Sequence, residues 1–457
     1  MCGLLGTFNL PAIDVSTSLD KIRHRGPDGS GIASLGPATH GHVRLALLDL
    51  SDASAQPFRY RDSLLSFNGE IWNYKEVRHG LEQSHGITFT TSGDTEVLAA
   101  ALYHYGIDAA LAKIDGMFVF AYSCANTHIL ARDRFGEIPL YVHLDRKGFA
   151  WCSERKGLAP LPCAALPPAM LLDMATGKLK RYYDIETANP YDVASPYRVA
   201  DLIETGVAKR LNADALLCCL VSGGLDSSVI LSIAKTYRKD VIAYTAVLDD
   251  NSADLAASRR LCDKMEVPLN EVRIRPPTTD DLARAVFTIE LPTKTQVEIA
   301  ALCIPLAKAI AADGFKAALS GEAADELFGG YGNMCIKGAS ASDQSWRDIR
   351  LAQLDKMSHG NFIRCNKAFM AAGVELRLPY IERALVETVI HASKQQCPPG
   401  KGLLKQAART IVPDWVIRRP KATFQREAGM AKLAAETIAN PARFYRAEAA
   451  REFGKFL

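Results

Sequence analysis

The chain has 457 residues, 48% of them hydrophobic, which is room for about two to three domains with cores of their own. Its 54 basic and 51 acidic residues leave a net charge of +3, so charge gives no ground for a nucleic acid or a membrane as partner. The 11 cysteines are odd in number and form no CxxC pair, which argues against a disulfide framework or a zinc site and for a reducing, cytoplasmic setting. No stretch is expected to approach membrane-span length, and the start, MCGLLGTFNL, lacks the basic end and apolar run of a signal peptide.

In chain order, Cys2 is the first chemically loaded residue. Once Met1 is removed, its own α-amine, titrating near about pH 8, stands beside the thiol as a base, the N-terminal-nucleophile arrangement. Residues 24–29 (HRGPDG) are a turn-rich loop, and 42–49 an apolar strand bearing Arg44. In 67–74 (FNGEIWNY), Asn68-Gly69 lies between apolar residues and by itself signals a hairpin turn. Ser92 or Asp94, ahead of an apolar helix, is by itself an N-cap. RDRFG at 132–136, PLY at 139–141, an apolar strand at 149–152 and SERK at 153–156 follow.

Together, in this order after an N-terminal Cys, these motifs resemble the class II glutamine amidotransferase (glutaminase) domain over about residues 2–161. The resemblance implies an α+β sandwich of αββα type, of the N-terminal-nucleophile class, that releases ammonia from L-glutamine. Cys2 would attack the glutamine carboxamide. The side-chain amide of Asn68 and the backbone N–H of Gly69 would form the oxyanion hole. Arg44 would take the α-carboxylate in a bidentate pair, and Glu70 and Asp94 would hold the α-ammonium group. The glutaminase domain is expected at 2–183, with a polar, proline-bearing linker at 184–198.

The domain expected at 199–457 opens with an amphipathic helix at 199–211. An apolar strand at 215–221, a tight loop (SGGLDSS, 222–228) and an apolar-periodic helix follow. Strand, glycine loop and helix start form an anion site: glycines let the backbone approach, and free N–H groups at the helix start point at the ligand. The loop lacks the lysine of a Walker A motif and resembles the PP-loop of ATP pyrophosphatases. Further strands are expected at 240–248, 268–274 and 316–319, alternating with helices as in a parallel sheet. Ligands of such sheets sit at the C-terminal strand edges.

The stretch SGEAADELFGGY (320–331), NKAFM at 366–370, GVELRLPY at 373–380 and RRPKATF at 418–424 resemble asparagine synthetases. With the glutaminase motifs, the chain resembles the glutamine-hydrolysing asparagine synthetase family. The resemblance implies ATP and Mg²⁺ as cofactors and a carboxylate, L-aspartate by default, as acceptor. Ser222, Gly223, Gly224, Ser227 and Ser228 would hold pyrophosphate, and Asp226 and Asp325 Mg²⁺. Leu220, Val247, Ser320 and Gly321 would contact adenosine. Glu322 would orient the attacking ammonia or take its proton, and Lys421 would neutralise phosphate charge.

The family carries an arginine near the aspartate site, and gapless counting back from Ser320 puts Glu298 in its place. An anion there would repel a substrate carboxylate, so weak turnover of aspartate is expected, with a natural-product or sugar acid as the alternative acceptor. A glutaminase-only chain and a PP-loop enzyme modifying tRNA or nucleobases are the readings from other classes. A homodimer is compatible with the resemblance.

Overall fold

The computed structural model describes residues 1–10, 13–188, 193–420 and 430–453. Within them lie two compact units, one of residues 1–184, 366–375 and the described part of 447–457, the other of residues 185–365 and 376–446.

Two six-stranded sheets make up the first unit. One runs, edge to edge, through 164–165, 141–144, 149–152, 3–8, 38–44 and 29–35; the other through 178–181, 170–173, 127–132, 116–124, 63–71 and 58–60. Their pairings are antiparallel. Gly3–Phe8 is buried at every position because both its faces are covered. Val15, Leu19 and Ile22 pack on one side, and the strand Ser63–Ile71 lies on the other. On the far face of the second sheet, Leu81, Val97, Leu98 and Leu102 of two helices meet Leu65, Phe67, Phe118 and Phe120. The layers are helix, sheet, sheet, helix, the αββα sandwich expected.

Asn68-Gly69 is not the turn its composition suggests. It lies inside Ser63–Ile71, paired with Val119 and Phe118. Gly69 has φ +145°, and a Cβ there would fall 2.0 Å from the Met117 carbonyl oxygen. Only glycine allows the neighbouring strand so close.

In the second unit, Leu269–Arg273, Ala243–Val247, Leu217–Leu220 and Ala317–Leu319 lie side by side and parallel, with Glu375–Arg377 at the edge. Helices join these strands in sequence, as a parallel ladder requires. The helix expected at 199–211 begins earlier, at Pro196. Ser195 accepts a hydrogen bond from Arg198 N at 3.2 Å, and proline's fixed φ suits a first turn.

Contrary to expectation, one helix, Lys294–Ala312, has the length and apolarity to cross a membrane, with 19 residues and a mean hydropathy of 1.4. Half of its apolar window is buried inside the fold, and Pro305 and a buried Glu298 sit within it, the pattern of a core helix.

Candidate functional site

The first unit holds a small open cavity at the start of strand Gly3–Phe8. Cys2, Arg44, Gly69, Glu70 and Asp94 line it together with residues 45–48, Gln56, Phe67 and Thr95. Arg44 ends the strand Ala38–Arg44, and its guanidinium donates to the carbonyls of Ser51, at 2.8 Å, and Asp49. That bracing sets a planar fork against the cavity, the shape a carboxylate needs. Asp94 does not cap its own helix. Its carboxylate accepts from Ile71 N at 2.9 Å, tying the helix start to the strand that carries Gly69 and Glu70.

Cys2 is fixed through its backbone. Its N–H donates to Asn68 Oδ1 at 2.8 Å, and its carbonyl accepts from Arg25 Nε at 3.0 Å. Leu45 N points at the sulfur from 3.4 Å. Burial pushes the Cys2 thiol above its ordinary value, while the positive N-terminus and the Leu45 N–H pull it back. Asn68 is fully buried beside Cys2; its Oδ1 holds the Cys2 backbone and its Nδ2 faces Ser153 Oγ at 3.5 Å. Gly69, the other expected oxyanion donor, lines the cavity.

Behind Cys2 lies a buried cluster that motif reading left without roles. Glu154 pairs with Arg25 at 2.8 Å, with Lys156 and with His24 at 3.2 Å. Although burial works against its charge, Lys156, His24 and Arg25 hold its carboxyl well below the usual range. Arg25 thereby links Glu154 to the Cys2 carbonyl.

In the second unit, two loops meet at the C-terminal strand edge. Ser222 N donates to Ser227 Oγ at 3.1 Å and Ser228 Oγ to Gly224 O at 2.6 Å, folding 222–228 onto the first turn of helix Leu225–Tyr237. The loop after Ala317–Leu319 comes against it. A Cβ on Gly321 would lie 2.7 Å from Ser227 N and 2.9 Å from Asp226 C. Leu220 and Val247 end neighbouring strands on the same edge, and Ser320 follows the third.

Asp226 and Asp325 converge. The Lys401 ammonium is 2.5 Å from Asp226 Oδ2 and 2.6 Å from Asp325 Oδ1. Two carboxylates aimed at one cation fit a hard divalent ion. Among the described residues no group of three His, Cys, Asp or Glu side chains forms a cage. The pair would therefore leave other positions to water and phosphate oxygens, as Mg²⁺ usually takes them. Burial opposes the charge on Lys401, but the two carboxylates outweigh it and raise its pKa to about 12.

Lys401 is a residue that sequence reasoning missed; its signal is only a Gly-Lys pair. Arg419, read as part of a basic patch, donates to Gly223 O at 3.0 Å and to Asp254 Oδ1 at 2.5 Å, bracing the glycine loop. Lys421 lies outside the described residues.

Glu322 accepts from Arg364 Nη2 at 2.6 Å. Glu326 accepts from Tyr331 Oη at 2.6 Å and Asn361 Nδ2 at 2.8 Å. Burial first, then the charge of Glu322, pushes the Glu326 carboxyl up to about 7.

Glu298 turns away from these groups. On its helix, Gln296 bonds Asn361 at 2.8 Å, and Cys303 feels the charges of Arg364 and Glu322. At 100° per residue, Glu298 lies about 200° around the helix from Gln296. Its ion partner is Lys294, 3.8 Å away, and its charge acts on Tyr445. The acceptor-site role expected for Glu298 therefore has no support in its placement.

Residues 1–216 match the family described as a glutamine amidotransferase domain. Residues 198–340 and 335–453 match that described as asparagine synthase. The chain is 29% identical to asparagine synthetase B [glutamine-hydrolyzing] of Escherichia coli (strain K12), covering 94% of this chain and 83% of that one. It is 28% identical to the asparagine synthetase [glutamine-hydrolyzing] of Sandersonia aurantiaca, over 92% and 82%. It is likewise 28% identical to asparagine synthetase [glutamine-hydrolyzing] 1 of Arabidopsis thaliana, over 92% and 74%.

Proposed function

The chain belongs to the asparagine synthase family, and from that premise we propose that it is a glutamine-dependent ligase that consumes ATP and amidates a carboxylate, forming AMP and pyrophosphate. The observation that carries this reading is the convergence of Asp226 and Asp325 on one cation position, with the glycine loop against the loop that bears Asp325.

In the first unit, Arg44 takes the glutamine α-carboxylate, and Glu70 and Asp94 take its α-ammonium. The Cys2 sulfur attacks the carboxamide carbon, and its proton passes to the α-amine exposed when Met1 is removed. Gly69 N–H faces the oxygen that gains charge. Ammonia leaves, and water hydrolyses the thioester to glutamate. Asn68 and Arg25 keep Cys2 in place through its backbone.

In the second unit, Ser222, Gly223, Gly224, Ser227 and Ser228 bind the pyrophosphate portion of ATP, while Leu220, Val247, Ser320 and Gly321 form the adenosine side. Asp226 and Asp325 would hold Mg²⁺, which supplies charge neutralisation at the phosphates when bound. Lys401 would add a second cation, with Lys421 as a further one. The acceptor carboxylate displaces pyrophosphate from the α-phosphorus. Ammonia, received by Glu322, then displaces AMP. We propose L-aspartate as acceptor, since Glu298 is engaged with Lys294 and gives no ground for excluding it. A cytoplasmic location fits a chain whose 11 cysteines form no CxxC pair.

The test separates the two chemistries. Cys2→Ala is expected to end glutamine use while ammonia-dependent AMP formation continues. Asp325→Asn is expected to end AMP and pyrophosphate formation while glutamine is still hydrolysed. Unchanged glutamine hydrolysis in the first variant, or full AMP formation in the second, overturns the assignment.

A further inference from the structure

The peptide joining Gly223 to Gly224 lies between two residues without side chains, so sterics restrain its rotation less than that of any other peptide in the loop. Its orientation decides what the loop offers an anion. Across a trans peptide plane the carbonyl and the N–H point in opposite directions. With the carbonyl held on one side, the Gly224 N–H is turned to the other. Flipped, the same peptide would turn the negative end of its dipole on a phosphate.

The structure shows the carbonyl held. Arg419, directly after helix Asp414–Arg418, donates from Nη1 to Gly223 O at 3.0 Å and from Nη2 to Asp254 Oδ1 at 2.5 Å. Asp254 stands in the first turn of helix Ala253–Met265. Gly223 is pressed against that turn: its φ is +67°, and a Cβ on it would lie 2.6 Å from Ala257 Cβ and 2.7 Å from Asp254 O. The Arg419 side chain is 17% exposed and that of Asp254 23%, so the fork is largely withdrawn from water. A pair that only joined two helices would need Asp254 alone. The second prong goes to a backbone carbonyl of the loop that presents N–H groups.

We propose that Arg419 is a positioning residue for the pyrophosphate end of ATP: by holding the Gly223 carbonyl outward, it keeps the Gly224 N–H turned to the phosphates. Asp254 fixes the other prong and so the plane of the fork. The proposal rests on the reading of 222–228 as the pyrophosphate loop given above. A role for Arg419 through charge alone predicts otherwise. Arg419→Lys would then keep ATP affinity, and loss of the Asp254 carboxylate, an anion near the phosphates, would raise it.

The experiment measures binding to the full chain, with Mg²⁺ and no acceptor, by titration calorimetry. One probe is α,β-methylene-ATP, which cannot lose pyrophosphate; the other is AMP, which carries the adenosine end without it. Arg419→Met is expected to weaken α,β-methylene-ATP about tenfold or more and AMP less than about twofold. Arg419→Lys, a single ammonium in place of a planar fork, is expected to show the same split at smaller size, and so is Asp254→Ala. The double variant Arg419→Met, Asp254→Ala is expected to bind no more weakly than Arg419→Met alone, the signature of residues acting as a unit.

If Arg419→Met weakens both probes equally, or neither, while keeping the wild-type unfolding temperature, the proposal is overturned. Wild-type affinity in Arg419→Lys, or tighter binding of α,β-methylene-ATP in Asp254→Ala, overturns it in favour of charge alone. Where Arg419→Met fails to fold, Arg419→Lys decides. A wild-type chain that binds α,β-methylene-ATP no more tightly than AMP removes the reading of the loop first, and the proposal with it.

Discussion

At the scale of single residues, side-chain direction decides what a motif can do. Cys2 is 8% exposed, and burial raises its thiol pKa. A raised pKa means a small thiolate fraction at neutral pH that keeps growing as the pH rises. In the chain that keeps Met1, alkylation of Cys2 by iodoacetamide without glutamine is therefore expected to accelerate about tenfold per unit from pH 7 to pH 8.5. A plateau below pH 8 would contradict a buried, high-pKa thiol. The residue types at Cys2, Arg44, Gly69, Glu70 and Asp94 were legible because the motifs name them, and one cavity brings them together. The direction of Asn68 was not legible, because a carboxamide has two ends and only the fold says which meets the Cys2 backbone. Glu298 stood out in sequence as a charge reversal, yet its helix turns it to Lys294. Lys401 was invisible because its partner Asp226 lies 175 positions away.

At the scale of elements, the glycine loop and the loop after Ala317–Leu319 act as one piece, and Gly321 is their point of contact. Alanine there would press a Cβ against backbone atoms of Ser227 and Asp226 at 2.7 and 2.9 Å. Gly321→Ala is expected to lower AMP formation at least about tenfold, through a displacement of the order of an ångström, with glutamine hydrolysis unchanged. Gly314 is the control: φ is +86° and nothing lies within 4 Å of a Cβ. Gly314→Ala is expected to cost about 1–2 kcal/mol of stability and leave AMP formation intact. AMP release and thermal unfolding of the two variants check this, and equal behaviour would contradict it. Strands were readable wherever apolar runs are bounded by polar loops: 149–152 was expected and Phe149–Cys152 is found. Asn68-Gly69 misled because a turn signal and a glycine needed for close strand approach look alike in one dimension. The helix at Pro196 started early because Ser195 and Pro196, a cap and a first-turn residue, were read as linker composition.

At the scale of the whole molecule, one chain joins a stretch matching a glutamine amidotransferase domain to one matching asparagine synthase. Residues 366–375 belong with the first unit, where Lys367 Nζ donates to Tyr141 Oη at 3.0 Å and Arg25 Nη2 to Asn366 Oδ1 at 2.9 Å. Such long-range grouping leaves no trace in local composition, which is why a division into consecutive stretches does not reveal it. The two units have a purpose in common only if nitrogen freed in one ends in the product of the other. The direct measurement supplies the protein with ATP, Mg²⁺, L-aspartate and glutamine labelled with ¹⁵N in its side-chain amide, and follows products by mass spectrometry. The expected result is asparagine carrying ¹⁵N in its side-chain amide, formed with one AMP for each asparagine. Release of labelled ammonia with no AMP and no labelled asparagine, or ADP in place of AMP, would contradict the proposed reaction.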